Sequence, residues 1–153
     1  MTIEDDVKFL ERVPFLRLVG RAGLRIIAIG AEQRYVHGGE VLFQRNTPAD
    51  SGYLVQEGAF TVGNDGGAHG FNAGPGTLLA EMAMIAEVDY GVTARATVPS
   101  TVIRIPRVLF VKTLEGYPEA ARRLREHIAS LAEQSHRDLA HARTVIGGKV
   151  GGN

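Results

Sequence analysis

The chain reads as mainly β with flanking helices, on three observations. Residues 2–30 carry helical signals. Residues 31–107 break into short apolar runs about ten residues apart, punctuated by Gly, Asn, Asp and Pro. Residues 108–146 return to a helical period. Evenly spaced short strands with turn residues between them suggest a sandwich, roll or barrel.

In the first zone, Thr2 is placed to cap a helix, with Asp5 three residues on and Glu4 in the first turn. Pro14 breaks that helix, and a second short one over Arg21–Ile29 ends at Gly30. The strand zone reads as "QRYV", "EVLFQ", "GYLVQ", "AFTV", "GFNA", "TARATV" and "STVIRI", with "RNTPAD", "GNDGG" and "GPG" as turns or loops. Most of the 19 glycines fall here, where turns need them. In the third zone, "RVLFVKTLEGYP" gives a short helix stopping at Gly116, and Pro118 is placed to start a long one. Leu124, Ile128, Leu131, Leu139 and Ala142 make one apolar seam along it, interrupted by Ser135. That seam is expected to bury itself against the β-zone or against a second chain. The whole is one domain, 1–146, with 147–153 expected to be a flexible tail.

Composition excludes several classes of function. A hydrophobic fraction of 44% and a charged fraction of 22% are ordinary for a globular domain. Lys+Arg and Asp+Glu balance at 17 each, so the chain lacks the basic excess of many nucleic-acid binders. The absence of cysteine rules out disulfides and thiolate chemistry and fits a cytoplasmic location. No apolar run reaches membrane-spanning length, and the charged N-terminus shows no secretory signal. The five histidines have no zinc-ligand spacing, and no serine sits in a nucleophile elbow. Neither a metal site nor an enzyme is expected.

Two stretches carry a resemblance. "GGEVLFQRNTPADSGYLVQEGAFTV" (38–62) resembles the early strands of the cyclic-nucleotide-binding domain family: Gly39-Glu40, the strand Val41 to Phe43, Pro48-Ala49-Asp50, Tyr53-Leu54-Val55 and the turn at Gly58. Asn46 stands where the family usually has Gly; it tolerates a left-handed backbone, so the turn survives. "GPGTLLAEMAMIAEVDYGVTARATV" (74–98) resembles the family's phosphate-binding cassette, with Gly76, Leu79, Ala80, Glu81 and Met82 in its first half. The resemblance implies a double-stranded β-helix, a jelly-roll-like β-roll with N-terminal helices and a long C-terminal helix. It implies cAMP or cGMP as ligand, a shift of the last helix on binding, and no catalysis. Glu81, inside an apolar run, would then accept from a ribose hydroxyl, or else hold backbone N–H groups as a structural acid.

The cassette departs from the family in its second half. The phosphate arginine falls on Tyr90, with Gly91 and Val92 as its neighbours. A tyrosine donates one hydrogen bond but offers no charged fork. Arg95 is the nearest cation and is the candidate to reach the pocket from its strand. Ser135 and His136 fall near the stretch that faces the base in several relatives. Only about ten residues follow that helix, so a DNA-reading helix-turn-helix is not expected. Two readings stay open: a sensor of cyclic nucleotide, or a module with a degenerate pocket whose partner is another protein or a second copy, held through the C-terminal helix.

Overall fold

The computed structural model describes the backbone of residues 2–64 and 70–151 and the side chains of residues 2–64 and 70–134. Three helices open the chain: α1 (Ile3–Glu11), α2 (Pro14–Arg17) and α3 (Arg21–Gly30). The predicted capping box is formed. Thr2 Oγ1 accepts from the Asp5 N–H at 3.1 Å, and the Asp5 carboxylate accepts from the Thr2 N–H at 3.2 Å.

Among the described residues ten strands follow, and all their pairings are antiparallel. The first sheet has the order β1 (Glu32–Val36), β10 (Ser100–Pro106), β4 (Ser51–Glu57), β7 (Leu78–Leu79). The second has the order β2 (Val41–Phe43), β9 (Thr93–Ala96), β5 (Phe60–Gly63), β6 (Phe71–Ala73). A two-stranded ladder joins β3 (Pro48–Ala49) to β8 (Val88–Asp89). The two sheets and this ladder make the β-roll. One 3-10 helix, Glu81–Met84, sits between β7 and β8. Then come α4 (Arg107–Glu115) and α5 (Pro118–Gly151).

Strand alternation divides the interior into two cores. Along β4, Tyr53 and Val55 point into the roll with Phe43, Phe60 and Val102. Leu54 points the other way, to join Leu10, Leu16, Leu24, Ile27, Ile105 and Phe110 under the helices. Leu54, Phe60, Ile105 and Phe110 are fully buried, and each such side chain contributes about 1.5–3 kcal/mol of burial.

One expectation is corrected here. Pro48-Ala49 is not a loop but a strand, paired through Pro48↔Asp89 and Ala49↔Val88. Of the apolar seam of α5, Leu124 is buried in the cluster that packs the helices on the outer face of the β-zone, with Leu54, Ile103 and Ile105, Ile128 packs beside it, and Leu131 is half exposed; Leu139 and Ala142 lie outside the residues whose side chains the structure describes. Arg123 Nε donates to the Leu18 carbonyl at 3.0 Å, which holds this end of α5 on the N-terminal helices. The helix α5 is continuous from Pro118 to Gly151. Each added residue of an established helix needs only one more hydrogen bond, so a long helix extends over glycines that would not start one. Among the described residues, no helix is long and apolar enough to cross a membrane.

Candidate functional site

The cassette stretch forms a tight turn at Gly76 and a 3-10 helix over Glu81–Met84. Gly76 has φ +90°, a conformation that L side chains rarely adopt, and its N–H donates to the Val55 carbonyl at 2.8 Å. Ala80 caps the 3-10 helix in the left-handed region, at φ 60° and ψ 43°. Asn46 is likewise left-handed, at φ 66°, in the turn before β3. Close contact fixes the helix on the sheet: a Cβ on Gly52 of β4 would lie 2.7 Å from Met84 Cγ, so glycine there lets the fully buried Met84 press against the strand.

Ala80 carries strain that a glycine would not. A left-handed alanine costs roughly 1–2 kcal/mol, partly offset by the smaller entropy loss of alanine on folding. Ala80→Gly is therefore expected to raise the unfolding free energy by about 0.5–1 kcal/mol, measured by urea denaturation.

Glu81 departs from the expectation of a buried acid. It is exposed and makes no hydrogen bond or ion pair among the described residues. A 3-10 helix turns about 120° per residue, so even an apolar run presents some positions to solvent. Met82 is also exposed, at 44%, while Ala83 and Met84 are buried. Leu79 lies in the roll core opposite Tyr53. Gly91 is exposed and Val92 packs against the roll core.

Tyr90 lies inside the roll, 7% exposed. Its ring stacks on Phe43 with centroids 4.2 Å apart and an interplanar angle of 13°, and Phe43 stacks in turn on Tyr53 at 5.8 Å. Its backbone extends the β3–β8 ladder: Tyr90 N donates to the Thr47 carbonyl at 2.9 Å, and Asn46 N donates to the Tyr90 carbonyl at 2.8 Å. Its hydroxyl donates to the Ser51 carbonyl over a long 3.5 Å. Burial, and then the neighbouring Tyr53 and Asp50, push the Tyr90 phenol well above the usual tyrosine range, against an opposing pull from Arg104. The residue stays a neutral donor.

The nearby cations are spent elsewhere. Arg95 does not reach the pocket. It lies on the outer face of β9, between the buried Ala94 and Ala96, and its Nη1 donates to the Gly39 carbonyl at 2.7 Å. Arg104, across from Tyr53 on β10, contacts the carboxylates of Glu32 and Asp50, each at 3.4 Å. Ser135 and His136 lie outside the residues whose side chains the structure describes.

One residue that sequence reasoning missed ties the cassette to the helices. Arg107, first residue of α4, places Nη1 at 2.9 Å from the Ala86 carbonyl, 3.0 Å from Ala49 and 3.3 Å from Ala83. Nη1 has two hydrogens, so the longest contact shares one. The Arg107 N–H also donates to the Asp50 carbonyl at 2.8 Å. A signal existed: a cation at a helix N-terminus opposes the helix dipole, so a specific partner was to be sought for it.

The comparisons fit this geometry. The family model for the cyclic nucleotide-binding domain matches residues 33–117. A cyclic nucleotide-binding-like protein from Brucella abortus is 35% identical, with a TM-score of 0.65 over 72% of this chain and 98% of that one. The sensor domain of the transcriptional regulator DNR from Pseudomonas aeruginosa shares the fold at 17% identity, with a TM-score of 0.73 over 90% of this chain and 93% of that one. The N-terminal domain of a transcriptional regulator from Streptomyces coelicolor does so at 18% identity, with a TM-score of 0.75 over 86% and 94%. A search of curated proteins returned no match. The fold is the β-roll of the cyclic nucleotide-binding domain, and the chain belongs to that family.

Proposed function

We propose that the chain is a non-catalytic regulatory module of this family whose roll is closed to a cyclic phosphate, and that it acts through its helices on another protein or on a second copy. The observation that carries this reading is Tyr90, stacked on Phe43 at the cassette position where the family resemblance expects arginine. A phosphate brought there would meet an aromatic wall. Its nearest cation is already shared by Glu32 and Asp50, and an anion held without a counter-charge in such a place is costly.

A second reading is favoured by a different observation, the backbone of the cassette stretch. Positive φ at Gly76 and Ala80 delivers the 3-10 helix with Glu81 open to solvent. On that reading the module senses cAMP, cGMP or a related nucleotide weakly and moves α5.

Titration calorimetry with cAMP and cGMP at low salt, with cyclic di-GMP as a third arm, separates the two. The closed-roll reading expects no saturable heat up to millimolar ligand, and Glu81→Ala should then change nothing. Saturation at micromolar ligand would make the chain a sensor. In that case Tyr90→Arg, by restoring a charge-assisted contact, should tighten binding about ten- to a hundred-fold.

A further inference from the structure

A cavity of about 230 Å³ lies beneath α1, on the face of the first sheet that points away from the roll interior. Leu10, Ala28, Ala31 and Ile103 form its apolar side, and Asp6, Gln33 and Gln56 its polar side. Strand parity puts these residues here: Gln56 shares the outward face of β4 with Leu54, and Ile103 shares the outward face of β10 with Ile105.

The polar side has unspent hydrogen-bonding capacity. Gln33 Nε2 donates to Gln56 Oε1 at 2.7 Å. Gln56 is only 9% exposed, and its Nε2 has no partner among the described residues, nor has Gln33 Oε1. Neither atom is sealed from solvent: Gln33 is exposed and Asp6 half-buried, so the cavity is open on this side and a ligand entering it would take the place of water on these groups. Asp6 is the remaining acid of the first turn of α1. Glu4 pairs with Arg21 and Arg25, and Asp5 closes the capping box, but the Asp6 carboxylate has neither an ion pair nor a hydrogen bond among the described residues.

We propose that this cavity is a second ligand site, independent of the cassette, for a small aliphatic amine or guanidine. The cationic head would sit on Asp6 and Gln33 Oε1 and the chain on the apolar side, while Gln56 Nε2 donates to a hydroxyl or carbonyl where the ligand has one. The volume is below that of drug-sized pockets and suits a metabolite of roughly ten non-hydrogen atoms.

The test is a nuclear magnetic resonance titration of the isotope-labelled full chain with agmatine at low salt. The expected result is a saturating shift of the Gln33 and Gln56 side-chain amides with a midpoint below about 1 mM. Asp6→Asn should raise that midpoint at least about tenfold, through loss of the charge-assisted contact. Ala31→Leu, which fills the cavity without changing its charge, should abolish saturation, and pentanamide, which lacks the cation, should not saturate at all. Shifts that rise linearly or spread over the acidic surface would overturn the proposal. So would an unchanged midpoint in Asp6→Asn or in Ala31→Leu.

Discussion

Tyr90→Ala is expected to lower the unfolding free energy by about 3–4 kcal/mol in urea denaturation, the range for deleting a buried aromatic side chain. The ring is 7% exposed and packs face to face on Phe43, so both burial and stacking are lost. Tyr90→Phe keeps the ring and gives up the 3.5 Å contact to the Ser51 carbonyl and the side-chain hydrogen bond with Tyr53, so it should cost only about 1–2 kcal/mol. The two variants also separate in pH dependence. The folded protein holds the Tyr90 phenol protonated well beyond the usual range, whereas the unfolded chain ionises it near pH 10. The unfolded state then binds fewer protons, so this contribution is fully present below about pH 10 and is lost as pH rises through the folded-state value. Tyr90→Phe should make the alkaline decline in stability shallower. A loss below about 1 kcal/mol in Tyr90→Ala would mean that the ring is not core, and would reopen the roll to a ligand.

The same residue shows how far a sequence reaches. The spacing to the following strand is what assigns Tyr90 to the arginine position of the resemblance. That it stacks on Phe43 was not legible, because the two lie 47 positions apart and meet only once β2 and β8 are in place. Helix boundaries were legible because they are written in local chemistry: Thr2 with Asp5, the break at Pro14, the start at Pro118. The β3–β8 ladder was not, since two residues per strand carry no alternation to read. Arg95 is a case in which the signal was present and passed over. Its small neighbours Ala94 and Ala96 share the face opposite to it, and period-2 reading alone points the arginine outward. At Glu81 the neighbours are apolar, but the local 3-10 geometry turns its side chain to solvent, which a run of apolar residues does not announce.

The second large effect is expected at Arg107. Its guanidinium gathers carbonyls from three separate places: Ala49 on β3, Ala83 in the 3-10 helix, and Ala86 just after that helix. Arg107→Ala leaves these part-buried acceptors without a charged donor. Hydrogen bonds to charged groups contribute about 1.5–3 kcal/mol each, and Nη1 makes two well-formed ones, so a loss of about 3–6 kcal/mol is expected by urea denaturation. Arg107→Lys keeps the charge but not the planar fork, and should fall between alanine and the parent. Stability alone would not distinguish a link from an ordinary core contact; hydrogen exchange does. The amides of Ile85 and Ala86, both bonded to the Met82 carbonyl, should lose protection in Arg107→Ala well before the strands of the first sheet do. Arg122→Ala, which removes only exposed ion pairs to Glu119 and Glu126 on α5, should change neither measurement. If the cassette amides and the sheet instead loosen together, Arg107 is one more part of a single cooperative core. If the cassette loosens first, the helix that follows the roll and the loop that faces its pocket are held to each other by one side chain. A ligand in the pocket or a partner on the helices would then act on the other through that contact.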